Sequence, residues 1–170
     1  MDRRLIAGCA LVWVLSWSWG MPAACAAEPD SSATEIYWMT DIHAAHRESI
    51  RLNRPVLIVF GAEWCHYCTK LEQETFGHPQ IARYINETYI PLHLDYDQAK
   101  REAKILNITA VPCVVALTPQ ADLVGRLDGF ATPQKVADML TKAMRLQTQI
   151  QQVRYHEATR ANTNTMTTSR

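Results

Sequence analysis

The chain has 170 residues, 48% of them hydrophobic, and its 17 Lys and Arg balance 17 Asp and Glu. That length fits one domain with extensions at its ends, and the apolar share excludes wholesale disorder. A zero formal charge without a basic stripe argues against nucleic acid as a partner, because phosphate binding needs clustered Lys and Arg.

Residues 1–27 stand apart. Arg3 and Arg4 precede an apolar stretch from Leu5 to Trp19, and small residues follow around Pro22 up to Ala27. This order is that of a secretory signal peptide, with cleavage expected after Ala26 or Ala27. The competing expectation is a retained membrane anchor, since no charge intervenes between Arg4 and Glu28. Residues 28–35 are small and polar and are expected to form a linker.

The folded domain is expected over residues 36–152. Ile42, Ala45, Ile50 and Leu52 give an amphipathic helix, with Asp41 or Thr40 as its N-cap and Asn53-Arg54-Pro55 as its stop. Pro55 to Phe60 is a continuous β-branched and aromatic run, expected to be a strand covered on both faces. A turn at Gly61–Trp64 leads into a helix from Cys65 that ends at Gly77, and His78-Pro79 opens another. Tyr89–Asp95 alternates as a strand does, and Gln98–Leu106 is a charged helix. Cys113–Leu117 and Leu123–Leu127 are short strands joined by a turn. Thr132-Pro133 starts a last helix, with Val136, Met139, Leu140, Ala143 and Leu146 on one face. Residues 153–170 offer almost nothing to bury and are expected to be a disordered tail. Helices between strands, with a closing hairpin, predict an α/β fold: a mixed central sheet with helices on both faces.

Five cysteines are present, of which Cys9 and Cys25 would leave with a cleaved signal. Cys65, Cys68 and Cys113 remain, an odd number with two members three residues apart. A structural disulfide framework would want an even set at wider spacing. At the start of a helix, positions i and i+3 share a face, with Cα atoms about 5–6 Å apart, within disulfide range. Free N–H groups and the helix dipole there favour a thiolate at Cys65. Cys65 is thus the expected nucleophile and Cys68 the thiol that resolves the mixed disulfide. The two thiols carry the chemistry themselves, so no cofactor is expected.

The stretch Phe60-Gly-Ala-Glu-Trp-Cys-His-Tyr-Cys68, with Leu71-Glu-Gln-Glu-Thr-Phe76 after it, is similar to the strand-to-helix junction of the thioredoxin-like family, and most so to its exported members. The resemblance covers roughly Trp38 to Leu146. It implies a thioredoxin-like fold and thiol–disulfide oxidoreductase activity on protein or peptide substrates. A reductase recharged by a membrane electron donor is the expected direction, with an oxidase or isomerase as the alternative, and a periplasm is the expected compartment of an exported chain. The resemblance also implies that Val111 and Pro112 form a cis-proline loop lining the groove for a substrate chain. Three departures stand out. His66-Tyr67 replaces the Gly-Pro of thioredoxins, Val59 stands where they carry a buried Asp that assists proton transfer, and Gly61 replaces an aromatic residue.

Around the pair, Trp64 is expected to shield the disulfide or contact substrate, with ordinary packing as the alternative. His66 either tunes the Cys65 thiolate or is an exposed loop residue. Tyr67 is expected at the surface, and Glu63 is expected to cap or solvate the turn. The other histidines have structural readings: His43 and His46 on a helix surface, His78 at a helix start, His93 in a strand and His156 in the tail. Cys113 is expected to be a buried apolar residue, with pairing to Cys65 or metal ligation as alternatives. A metal-binding protein is the second functional reading, holding zinc or copper through Cys65, Cys68, Cys113 and His66.

Overall fold

The structure, a computed structural model, describes the backbone of residues 35–168 and the side chains of residues 35–160. The expected signal peptide at 1–27 and nearly all of the expected linker lie outside the described residues.

Four strands form one sheet: β1 (Val56–Gly61), β2 (Ile90–Asp95), β3 (Cys113–Leu117) and β4 (Leu123–Asp128). Their order is β2-β1-β3-β4. β1 runs parallel to β2, and β3 is antiparallel to both β1 and β4. A parallel pair needs a crossover, supplied here by α2 (His66–Leu71), a π-helical turn (Glu72–Phe76) and α3 (Pro79–Thr88). The remaining helices are α1 (Ile42–Leu52), α4 (Lys100–Ile105) and α5 (Pro133–Thr168). The element order agrees with the sequence expectation throughout. Met39 adds a bridge to Leu92, carrying the sheet one short segment beyond β2.

Every residue of β1 is buried, as a run without polar alternation requires. The pleat sends Leu57 and Val59 into a core with Leu71, Phe76, Ile85, Val136 and Leu140. It sends Val56, Ile58 and Phe60 into a second core with Ala45, Ala103 and Val115. Helices α2, α3 and α5 therefore cover one face of the sheet, and α1 and α4 the other. α5 can approach β4 because Gly125 has no side chain: a Cβ there would stand 2.5 Å from the Met139 sulfur.

Three local expectations are corrected. Ile50 is exposed while Ser49 is buried, and the Ser49 hydroxyl donates to the Arg54 carbonyl beyond the helix end. In α5, Leu146 is exposed and Gln147 is buried. The spacing 136, 140, 143, 147 keeps the 3.6-residue period, and the Gln147 amide donates to the Asn53 carbonyl. Finally, α5 continues as helix to Thr168 through the segment expected to be disordered. Arg154 joins that segment to the domain, donating to Asp122 at 2.8 Å and to Gln120 at 3.1 Å.

Asp41 caps α1, its carboxylate accepting from the His43 and Ala44 backbone, which also holds that carboxyl below its usual range. Among the described residues, no helix is long and apolar enough to cross a membrane.

Candidate active site

β1 ends at Gly61, and the turn Ala62–Trp64 delivers Cys65 to the start of α2. Cys65 is the N-cap of that helix, with extended backbone. Its sulfur accepts a hydrogen bond from the Cys68 backbone N–H at 3.1 Å. A sulfur facing a helix-start N–H is the arrangement that favours negative charge on Cys65 once the bond opens. Cys65 and Cys68 are joined as a disulfide, with Cα atoms 5.3 Å apart, and both residues are nearly fully buried.

Two aromatic side chains flank the disulfide at the surface: Trp64 is 67% exposed and Tyr67 60%. The Trp64 indole N–H donates to Asp97 at 2.7 Å, so the ring is held against the loop after β2. Lys100 and then this indole bond hold the Asp97 carboxyl below its usual range. His66 is exposed, and its ring meets that of Tyr67 edge-on. Glu63 is exposed in the turn.

The Val111–Pro112 peptide bond is cis. It directly precedes β3, and Cys113 pairs in register with Phe60 near the end of β1. The antiparallel pairing thus places Val111 and Pro112 at the sheet end where the disulfide sits. The Pro112 carbonyl accepts from Gly129, which ties this loop to the end of β4.

Cys113 is free and fully buried. It lies in the core of the α1 and α4 face, and its thiol donates to Asp128 at 3.3 Å. Burial first, and the neighbouring Asp128 second, push this thiol up to about 12. That suits the reading as an apolar core residue, and Cys65 is already paired with Cys68. The metal-binding set is not assembled: among the described residues, no group of three or more His, Cys, Asp or Glu is placed to hold a metal ion.

The sequence reading missed His93. This residue is the register partner of Val59, two positions before Gly61. Its Nε2 lies 3.2 Å from Glu72 Oε1, an ion-pair distance. Nε2 is buried and makes no hydrogen bond. The ring also stacks edge-on to Trp38, which in turn meets Phe76. Glycine at position 61 admits this ring: a Cβ there would stand 3.0 Å from His93 Nε2 and 3.8 Å from Cys68 Cβ. A cavity of about 350 Å³ adjoins this place, lined by Cys68, Thr69, Glu63, Glu72, His93 and Asp95. The available signal was Gly61 itself, a missing side chain at the end of a buried strand.

With this geometry, the comparisons with known proteins agree. The family described as the thioredoxin-like domain matches residues 43–144. The thiol:disulfide interchange protein DsbD of Cronobacter sakazakii is 25% identical over 137 residues, 76% of this chain and 23% of that protein. DsbD of Vibrio cholerae is 25% identical over 115 residues, 64% of this chain and 19% of that protein. The chain therefore spans about a quarter or less of the length of these curated relatives. In fold, it superposes on the DsbH oxidoreductase with a TM-score of 0.62 at 13% identity, covering 70% of this chain and 91% of that one. The oxidised C-terminal domain of Neisseria meningitidis DsbD gives 0.54 at 18% identity, covering 62% and 98%. The chain belongs to the thioredoxin-like family of thiol–disulfide oxidoreductases.

Proposed function

We propose that this protein is an exported thiol–disulfide oxidoreductase that exchanges disulfides with protein substrates, working as a reductase in the periplasm. Cys65 attacks the substrate disulfide as a thiolate, and a mixed disulfide forms. Cys68 then attacks the Cys65 sulfur, the substrate leaves as a dithiol, and the Cys65–Cys68 bond closes. Trp64 and Tyr67 form the walls against which a substrate chain lies, and Val111 and Pro112 form its groove. His66, next to the nucleophile, tunes the thiolate. A membrane electron-donor protein returns the pair to the dithiol.

The observation that carries this reading is the Cys65–Cys68 disulfide at the first turn of α2, with the Cys65 sulfur accepting a backbone N–H. The exposed Trp64 and Tyr67 beside a buried pair support a protein-sized substrate, since large rigid aromatic rings bind chains well. The likeness to proteins named for thiol:disulfide interchange supports the exchange chemistry.

The test is equilibration of the full chain in glutathione buffers, with the Cys65–Cys68 peptide quantified by thiol alkylation and mass. A potential near that of thioredoxin, about −270 mV, supports the reductase reading. A potential near −120 mV, as for a strong oxidant, refutes the direction. If Cys65 and Cys68 form no disulfide at any ratio, the exchange chemistry itself is refuted.

A further inference from the structure

When Cys68 resolves a mixed disulfide, its thiol proton must leave. In this chain no acid group stands on β1 beneath the pair, because Val59 fills that position and packs in the apolar core. A group able to exchange a proton lies one strand away. His93, in register with Val59 on β2, presents a buried Nε2 without a hydrogen-bond partner. The missing side chain of Gly61 leaves Nε2 and the Cys68 Cβ as neighbours of the same small space. Both residues line the same cavity of about 350 Å³. Imidazole is the side chain that both takes and gives a proton in the neutral range.

We propose that His93 is the proton acceptor for Cys68 in the resolving step, which rests on the exchange reading above. The Cys68 S–H proton passes to His93 Nε2 across the space that Gly61 leaves open. The Cys68 thiolate then attacks the Cys65 sulfur, and the Cys65–Cys68 bond forms. The bond from Cys65 to the substrate sulfur breaks, and its electron pair leaves on the substrate thiolate. That thiolate takes up one proton, and the imidazolium gives one up, directly to it or by way of solvent. Two electrons pass from the cysteines to the substrate, and His93 returns to its starting state. Glu72, 3.2 Å from Nε2, stabilises the imidazolium while it exists. The charged groups lining the three cavities that His93 borders are acidic: Glu63, Glu72, Asp95, Glu35, Asp41 and Glu102. The charged surroundings of the ring are therefore of one sign.

The test uses the full chain with Cys9→Ser and Cys25→Ser, reduced and mixed with dithiobis(nitrobenzoate) in a stopped-flow instrument. The first coloured thiolate reports attack by Cys65, and the second reports resolution by Cys68. Cys113 is buried and stays silent in the native state. His93→Gln is expected to leave the first phase unchanged and to slow the second about ten- to a hundredfold at pH 7. The second phase should then rise in proportion to hydroxide. Glu72→Gln should keep the second phase, because the proton acceptor stays in place. A structural role alone would change stability without reshaping that pH profile. Should His93→Gln not fold, the wild-type chain decides through nitrogen NMR of labelled histidine. The His93 midpoint must then differ between the disulfide and dithiol states, because two groups that trade a proton titrate together. An unchanged second phase in His93→Gln, or one His93 midpoint common to both redox states, overturns the proposal while leaving the exchange reading intact. Absence of both phases overturns the two together.

Discussion

The buried thiol of Cys113 makes the stability of this fold sensitive to alkali. Burial raises it from 9.0 to about 12, so between these values the unfolded chain loses a proton that the folded chain keeps. A folded value above the unfolded one means stability is fully present below pH 9 and is lost as pH rises toward 12. Each unit of pH in that window costs about 1.4 kcal/mol for one such group. By pH 11 the loss from Cys113 is therefore about 2–3 kcal/mol, a large part of an ordinary domain's stability. Tyr89 is pushed up as well, mainly by its burial, and contributes loss in the same direction. The difference between the wild-type chain and Cys113→Ala isolates the thiol. Both are unfolded in urea with the Cys65–Cys68 disulfide intact, at pH 7, 9, 10 and 11. Cys113→Ala is expected to be less stable at pH 7, because it leaves a small cavity, yet to lose about 2–3 kcal/mol less between pH 9 and 11. Stability curves that run parallel from pH 7 to 11 would refute the reasoning.

The remaining predictions concern separate parts of the frame. Thr75 is buried and donates to the Ala131 carbonyl at 2.7 Å, tying the π-helical turn to the approach to α5; Thr75→Val should cost about 1–3 kcal/mol in urea unfolding. Gly125→Val should cost about 1–3 kcal/mol or more by the same assay, because the new side chain meets Met139, Ala116 and Ala143. Arg154→Ala removes the bonds to Asp122 and Gln120, and amide exchange over residues 148–160 should quicken while the β-strands keep their protection. Cys68→Ala should accumulate a mixed disulfide on Cys65 that mass spectrometry detects, whereas Cys65→Ala should accumulate none.

Much of the architecture was legible because it follows from local pattern. The continuous apolar run of β1 required two covered faces, and it has them. Asp41, Pro79 and Asn53 marked helix boundaries through their own backbone chemistry, and the structure uses each at that place. The i, i+3 spacing of Cys65 and Cys68 at a helix start determined a closable pair, because helix geometry alone brings the two Cα atoms within bonding range.

Tertiary structure decided which polar residues are buried. Nothing local distinguishes Ser49 from Ile50 or Gln147 from Leu146; the inner member of each pair follows helix phase and a carbonyl near residues 53–54 that only the fold brings close. Cys113 lies on the sheet face that α1 and α4 cover because of the register of β3 on β1, and that placement separates it from the disulfide. His93 looked like one more alternating strand residue. Its meaning depends on three segments meeting: Val59 beside it in register, Gly61 without a side chain, and Glu72 one helical turn beyond Cys68. The sequence by itself determined the cysteine pair and the order of elements, since spacing and hydrophobic period act within a few residues. Only the tertiary structure placed a titratable ring beside Cys68, since residues 61, 72 and 93 meet through strand pairing and helix packing.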